Sequence, residues 1–323
     1  MNTGKKEIVL GIDIGGTNTA FGFVDYAGTC LQTLSIPTLA EQPPENLFDR
    51  LFNHVDEILT KQLTEYKLVG IGIGAPNGNY YNGTIENPAN LKWGHVNIYK
   101  IIDNYYQIPA AITNDANAAA LGEMLFGAAK NMKNFIVITL GTGLGSGIVA
   151  NGQLIYGTNG FAGEIGHTIV DPEGRDCNCG RRGCLETYVS ATGIIKTLDE
   201  FYSKGCYESS LNNMCGKKLT AKDVTEAAKK GDKLALDVFD YTAKILGLKL
   251  ADSVAYLGPE VIILCGGLAQ AGELLIKPVK KYMERYILYL YKNKVRLTTS
   301  LLADSHSSIL GAAALIWNGL KRN

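Results

Sequence analysis

One pattern occurs twice in this chain, once in each half. Residues 7–14 read as a β-strand running into Asp13-Ile14-Gly15-Gly16-Thr17-Asn18, residues 20–25 return as a second strand, and Ala27-Gly28 turns the chain into a third at 30–36. Residues 134–140 are again a strand, Gly141-Thr142-Gly143-Leu144-Gly145-Ser146-Gly147 is a turn richer still in glycine, and residues 148–150 lead to a further turn at Asn151-Gly152. The repeated sequence of strand, Gly/Thr tip, strand and short Gly turn indicates an internal duplication, with the two tips expected to face each other across a cleft. Such a tip exposes bare backbone N–H groups and a hydroxyl, which is what a phosphate chain needs. An ordinary hairpin turn would account for either tip alone; two aimed at one nucleotide form a more specific signal. Neither tip is GxxxxGK[ST], GTGLGSG is followed by a strand where a dinucleotide fingerprint requires a helix, and no protein-kinase HRD or DFG set is present.

A chain of 323 residues is too long for one ordinary core and fits two domains of about 150 residues each. Hydrophobic residues at 46% suffice to fill both. Lys+Arg and Asp+Glu both number 31, so no basic surplus exists to hold a nucleic-acid backbone or an anionic membrane, and a small-molecule partner is expected. The apolar run after Lys5 and Lys6 is cut by Asp13, too early for a signal-peptide core. Val261–Cys265 and residues 309–317, the longest apolar stretches, fall short of the roughly 18 residues that span a bilayer. A soluble, cytoplasmic protein is expected, and Cys30, Cys206, Cys215 and Cys265, scattered singly, agree with a reducing compartment.

Residues 164–186, EIGHTIVDPEGRDCNCGRRGCLE, have little apolar periodicity and cannot hold themselves by burial. His167, Cys177, Cys179 and Cys184 supply one imidazole and three thiolates, a donor set that tetrahedral zinc takes in closed structural sites. Gly180 and Gly183 let the backbone fold back to bring Cys184 to the same point. Clustered free thiols or a disulfide are the alternatives, the latter uncommon in the cytosol. Glu164 and Glu186, at the two ends of the span, would be either acceptors for sugar hydroxyls or solvated surface glutamates.

Elsewhere, residues 44–63 form an amphipathic covering helix with His54 at its surface, and residues 69–74 a buried strand ending in Ala75-Pro76-Asn77-Gly78. In Glu86-Asn87-Pro88-Ala89-Asn90, the side chains of Asn87 and Asn90 suit sugar hydroxyls or simple turn chemistry equally. The strand 109–113 stops at Asn114-Asp115 before the alanine-rich helix 116–128. Asp115 would be either the N-cap of that helix or a general base taking a hydroxyl proton as the hydroxyl attacks a γ-phosphate. A helix follows at 187–202, a polar loop at 203–218, a capping-box-like helix start at Thr220 and a long amphipathic helix at 233–256. The strand 261–264 ends at Cys265-Gly266-Gly267-Leu268, a candidate adenine site or a tight strand-to-helix turn. Residues 271–291 are helical, 295–302 a strand and 305–320 a terminal helix with a small face at Gly311, Ala312 and Ala313, and His306 exposed in its first turn.

DIGGT at 13–17, NDANAAALGE at 114–123, GTGLGSG at 141–147, EIGH at 164–167 and CNCGRRGCLE at 177–186 together resemble the ROK family of bacterial sugar kinases and sugar-responsive repressors, in the actin-like ATPase superfamily. The resemblance runs in order over essentially the whole chain, and its last two motifs are specific to the family. It implies two actin-like (ribonuclease H-like) α/β domains with an interdomain cleft, at 1–115 plus 305–323 and at 116–304. It implies Asp115 as catalytic base, with Asn90, Asn114, Glu164, His167 and Glu186 on the sugar and His167 also holding zinc with Cys177, Cys179 and Cys184. Asp13 is implied to face Mg2+ through water. Gly15, Gly16, Thr17, Asn18, Thr142, Gly143 and Gly145 are implied to line the ATP phosphates, and Gly266 and Gly267 its base. Family repressors carry a winged helix ahead of the first strand. The few residues before Glu7 leave no room for one, which points to the kinase branch.

The expected reaction is ATP-dependent phosphorylation of a hexose at O6, with glucose favoured because ENPANLKW resembles the glucose-phosphorylating members. Kinases of mannose, fructose, N-acetylmannosamine or N-acetylglucosamine, and a non-catalytic sugar sensor, are the alternatives. The resemblance also implies a homodimer or homotetramer.

Overall fold

The computed structural model describes residues 4–204, 208–214, 219–302 and 306–320. In chain order the strands are β1 (Lys6–Ile14), β2 (Asn18–Asp25) and β3 (Cys30–Pro37), followed after helix α1 (Pro44–Lys61) by β4 (Tyr66–Gly74), β5 (Gly78–Asn79), β6 (Thr84–Glu86) and β7 (His95–Asn97). Helix α2 (Ile98–Asp103), β8 (Ala110–Thr113) and α3 (Asp115–Leu125) come next, then β9 (Phe135–Leu140), β10 (Leu144–Ala150) and β11 (Gln153–Leu154). The rest runs α4 (Glu186–Val189), α5 (Ala191–Lys204), α6 (Ala221–Lys229), α7 (Lys233–Leu257), β12 (Val261–Cys265), α8 (Glu273–Tyr286), β13 (Arg296–Thr299) and α9 (Ser307–Leu320).

Two sheets have the same plan. The first is ordered β3-β2-β1-β4-β8 and the second β11-β10-β9-β12-β13. In each, the central strand pairs antiparallel with the strand that follows it through a glycine tip and parallel with the strand on its other side. The duplication expected from the sequence is therefore present in the strand order, and it is the ribonuclease H-like order. Contacts group the chain into one unit of Met1–Asn131, Leu154–Ala162 and Leu301–Asn323, and another of Met132–Gln153 and Gly163–Ser300.

In the first unit the period-2 alternation of β1 divides the core. Ile8, Leu10 and Ile12 pack with Phe21, Phe23 and the apolar stripe of α1 (Leu47, Phe48, Leu51, Val55), whereas Val9 packs with Val24 and with Ile309, Ala313 and Ile316 of α9. The small face of α9 lies directly on the sheet: a Cβ added at Gly72 would sit 1.9 Å from the Ala312 carbonyl oxygen. Helix α3 packs on the same helix, with a Cβ added at Gly122 only 3.0 Å from Gly311 Cα. That packing is why α3 groups with the first unit, whereas the expected limit at 115/116 put it in the second. In the second unit Ile136, Ile138 and Leu140 of β9 share one core with Leu246, Leu250 and Val254 of α7.

Three local expectations are revised. The second tip is only Gly141-Thr142-Gly143, because Leu144, Gly145, Ser146 and Gly147 already pair with β9. The expected helix 187–202 is broken at Ser190, whose ψ of 174° ends α4 and whose Oγ accepts the Gly193 N–H at 3.1 Å to start α5. His306 is half-buried rather than exposed. Cys206, Cys215, Ser305 and part of the loop 203–218 lie outside the described residues. No helix among the described residues is long and apolar enough to cross a membrane.

Candidate functional site

Three parallel strands of the first unit end in register, with Asp13 of β1 beside Gly74 of β4 and Gly74 beside Thr113 of β8. Ligands of open α/β sheets bind at such carboxyl ends. Asp115 follows at the first position of α3, but it is not the N-cap: Asn114 fills that role, its Oδ1 accepting the Asn117 N–H at 2.7 Å. One carboxylate oxygen of Asp115 takes the Ala116 N–H at 2.8 Å, and the residue stays open to solvent. A Cβ added at Gly74 would lie 3.9 Å from Asp115 Cα and 4.0 Å from Asp13 Oδ1, so the two acids flank this bare glycine.

The density of protein around Asp115 pushes its carboxyl above the usual carboxylate range, partly offset by the Ala116 N–H. Burial also raises Asp13, where a hydrogen bond from Ser308 opposes the shift and the charge of Asp115 adds to it. A carboxylate whose ionisation is opposed by a second one beside it is a natural seat for a cation.

The first tip is braced from below by Thr38, a buried residue that no sequence pattern singles out. Its Oγ1 donates to the Gly15 carbonyl at 2.7 Å and its N–H to the Thr17 carbonyl at 2.9 Å. Thr17 and Asn18 are thereby presented to solvent. Asn90 is brought against this tip, where a Cβ on Gly16 would come within 2.9 Å of its own Cβ. Asn87 has a left-handed φ of 47° and donates its N–H to the Gly94 carbonyl at 2.8 Å, which is turn chemistry.

In the second unit, Gly141 and Thr142 of the second tip and Gly267 at the end of β12 line one cavity of about 470 Å3. Gly267 and its neighbour Gly266 differ in role. Gly266 has φ +89° and its hydrogen faces the Leu140 carbonyl, where a Cβ would lie 2.7 Å from the oxygen, whereas Gly267 faces open space. The opposite wall is α6, with Thr220, Lys222, Glu226 and Lys229. Those residues were not assigned from the sequence, although the capping box between Thr220 and Asp223 marked where the helix begins. Gly145 lies in β10, its N–H bonded to Thr139 Oγ1 at 3.1 Å.

The loop after β11 is pinned at both ends. Ser146 donates its hydroxyl to the Gly163 carbonyl and accepts the Ile165 N–H at 3.1 Å, which fixes Glu164 between them. At the far end Glu186 opens α4 and accepts the Leu144 N–H at 3.2 Å. The donor atoms of His167, Cys177, Cys179 and Cys184 all lie within 4.8 Å of one another. Cys179 and Cys184 Sγ are 3.6 Å apart, and Cys177 Sγ is 3.7 Å from His167 Nδ1. Tetrahedral zinc with bonds of about 2.3 Å to sulfur separates its ligands by roughly 3.6 to 3.8 Å, so the donor set fits the ion. The five described cysteines are all free. Burial pushes the Cys177 thiol up to about 12; at Cys179 burial is outweighed by the N–H and side chain of Arg181, which bring it down to about 6. Three thiolates together require a cation. The other imidazole nitrogen, Nε2, lies 3.9 Å from Glu164.

Arg175, inside this loop, is a further residue the sequence did not single out. Its guanidinium is buried and pairs with Glu200 at 2.7 Å, donates to the Thr187 carbonyl at 2.6 Å and to Thr197 Oγ1 at 2.8 Å, and stacks on Tyr188. It fastens the loop to α4 and α5.

Residues 9–318 match the family model described as ROK family. The chain belongs to the ROK family. Among ROK relatives, a glucokinase from Halalkalibacterium halodurans is 41% identical over 284 residues, covering 86% of each chain. A xylose repressor from Caldicellulosiruptor bescii is 28% identical over 312 residues, covering 95% of this chain and 77% of the repressor. The crystal structure of a ROK family glucokinase from Streptomyces griseus in complex with glucose and AMPPNP superposes with a TM-score of 0.79 at 31% identity, covering 95% and 98% of the two chains. ROK structures of this kind have the two-domain actin-like ATPase fold.

Proposed function

We propose that this ROK chain is an ATP-dependent sugar kinase that transfers the γ-phosphoryl group of ATP to O6 of glucose. The observation that carries the reading is the division of labour at the start of α3: because Asn114 caps the helix, the neighbouring carboxylate of Asp115 remains open to solvent at the carboxyl end of the sheet. The 41% identity to a glucokinase and the likeness to a structure holding glucose and AMPPNP support the same substrates.

In this reading Asp115 accepts the O6 proton as O6 attacks phosphorus in line, while bond breaking to the ADP oxygen runs ahead of bond making. A carboxylate held above its usual pKa is a better proton acceptor than a free one. Asp13 would hold Mg2+ through water, which offsets charge on the phosphates. Backbone N–H groups of Gly16, Thr17 and Asn18 and of Thr142 and Gly143 bind the phosphate oxygens, Gly15 shapes the first tip by donating its N–H to the Asn18 carbonyl at 3.0 Å, and the cavity beside Gly267 takes the base. Glu164, Glu186 and His167, with Asn90 and Asn114, accept from and donate to the sugar hydroxyls. His167, Cys177, Cys179 and Cys184 would hold a structural zinc that fixes the loop bearing the two glutamates. We place the protein in the cytoplasm, acting as a homodimer or homotetramer without a nucleic-acid or membrane partner.

A coupled ADP-release assay on glucose, mannose, fructose, N-acetylmannosamine and N-acetylglucosamine tests this. The highest kcat/KM is expected for glucose. Turnover highest on another hexose would reassign the substrate, and binding of sugar without ADP release on any of them would make the chain a sensor, as its likeness to xylose repressors allows.

A further inference from the structure

We propose that the first unit carries a second binding site, for a neutral polyhydroxylated ring, in a cavity of about 610 Å3 that contains none of the residues assigned above to catalysis, sugar, nucleotide or metal. Its walls come from two segments distant in sequence: Asn79, Tyr81, Asn82 and Glu86 from the β5–β6 hairpin, and Asn159 and Phe161 from the segment after β11.

Asn79 braces the two segments together. It is only 2% exposed, and its side chain uses its full hydrogen-bonding capacity on the protein. The Oδ1 accepts the N–H groups of Tyr81 at 3.0 Å and Asn82 at 3.3 Å, and Nδ2 donates to Glu86 Oε1 and to the Asn159 carbonyl, both at 3.0 Å. The aromatic side chains add a second brace, with Tyr80 stacked on Tyr156 at 4.1 Å and 10°. The cavity is therefore shaped before any ligand arrives, which reduces the ordering cost of binding.

Glu86 identifies the chemistry. Its Oε1 is saturated by neutral donors, Thr84 Oγ1 at 2.9 Å, Asn79 at 3.0 Å and Asn82 at 3.5 Å. Its Oε2 makes no bond, and no lysine or arginine pairs with it, among the described residues. An ionised carboxylate oxygen accepts and never donates, so it calls for an O–H or N–H from outside. Beside it are the amide of Asn82, able both to donate and to accept, and the rings of Phe161 and of Tyr81, the latter 56% exposed. Hydroxyls on the rim and an apolar C–H face are the two properties of a pyranose that this lining matches. A bare metal ion would leave the aromatic rings without a partner and find one carboxylate oxygen where a hard cation wants several oxygens.

The test is equilibrium dialysis of radiolabelled glucose against the full chain, up to about 100-fold above the KM for glucose, with variants Tyr81→Ala and Glu86→Gln. The glutamine keeps an oxygen for Asn79 and Thr84 while removing the charge. Two binding events per chain are expected, the weaker of them lost by tenfold or more in both variants while kcat/KM for glucose stays within twofold of the parent. A single event that both variants abolish also supports the site and would count instead against the proposed substrate. A single event unchanged in both, or a weaker event that Mg2+ displaces, overturns it.

Discussion

Glu186 connects the cysteine loop to the glycine tip: its Oε2 accepts the N–H of Leu144 at 3.2 Å, while its Oε1 lies 3.2 Å from Cys177 Sγ and 3.8 Å from His167 Nδ1. The carboxylate is thus aimed by a backbone donor on one side and by the cysteine loop on the other. Glu186→Gln keeps an oxygen for Leu144 and removes the charge. Hydrogen bonds to a charged group are worth about 1.5–3 kcal/mol, so the glucose KM is expected to rise about 10- to 100-fold with the ATP KM little changed. Steady-state kinetics with each substrate varied in turn check this, and an unchanged glucose KM would take Glu186 off the sugar.

Asp115→Asn separates chemistry from stability. Loss of a positioned base costs about 10²- to 10⁴-fold in rate, so kcat should fall by that much while glucose still binds. The stability effect has the opposite sign. The protein packed around the Asp115 carboxyl holds it above its usual range, so its contribution to stability is full below the unfolded pKa of about 3.9 and is lost as pH rises through the higher folded value. Asparagine undergoes no such loss. The variant should therefore melt above the parent at pH 7, with the gap closing as pH falls toward about 4, as read by calorimetry across that range.

Removing the metal should act on both the loop and the sugar. Elemental analysis is expected to find zinc at about one per chain, and Cys184→Ser, which alters a fully buried thiol, should lose it. Structural zinc contributes folding free energy directly, so the variant is expected to melt lower and to bind glucose at least tenfold more weakly. A zinc-free parent with normal affinity would contradict the assignment.

Much of this was legible in the sequence because it rests on local chemistry. The repeated order of strand, Gly/Thr tip, strand and short Gly turn led to the duplicated strand order, and His167, Cys177, Cys179 and Cys184 led to a cluster with tetrahedral separations. What stayed hidden depends on partners distant in the chain. Thr38 sits in an unremarkable stretch until the fold carries it under Gly15, and Lys222 and Glu226 face the cavity only because α6 is laid opposite Gly267. The N-cap at Asn114 rather than Asp115 was a one-residue question, and one-residue questions at helix ends are those that sequence patterns decide least well. The break at Ser190 was missed because the apolar residues continue through it.

Arg175 should hold the loop independently of the metal. Arg175→Lys keeps the charge but loses the planar fork that reaches Glu200, Thr187 and Thr197 together. Because Glu200 retains access to water, with its side chain 41% exposed, the cost should be modest, about 1–3 kcal/mol from lost hydrogen bonds. Denaturant unfolding should show this loss while zinc content stays at the parent level. Loss of zinc along with stability would mean that the two fastenings are not separate.

The adjacent glycines at the end of β12 give the sharpest contrast. Gly266 combines φ +89° with a carbonyl oxygen 2.7 Å from any added Cβ, so Gly266→Ala is strained in backbone and crowded in space and is expected to destabilise by about 1–3 kcal/mol. Gly267 has neither constraint, and a side chain there projects into the cavity proposed to take the base. Gly267→Val should therefore fold with near-parental stability, leave the glucose KM unchanged and raise the ATP KM tenfold or more by occupying volume. Melting curves and kinetics on the two variants read both effects. An ATP KM unaffected by the valine would move the nucleotide base out of this cavity.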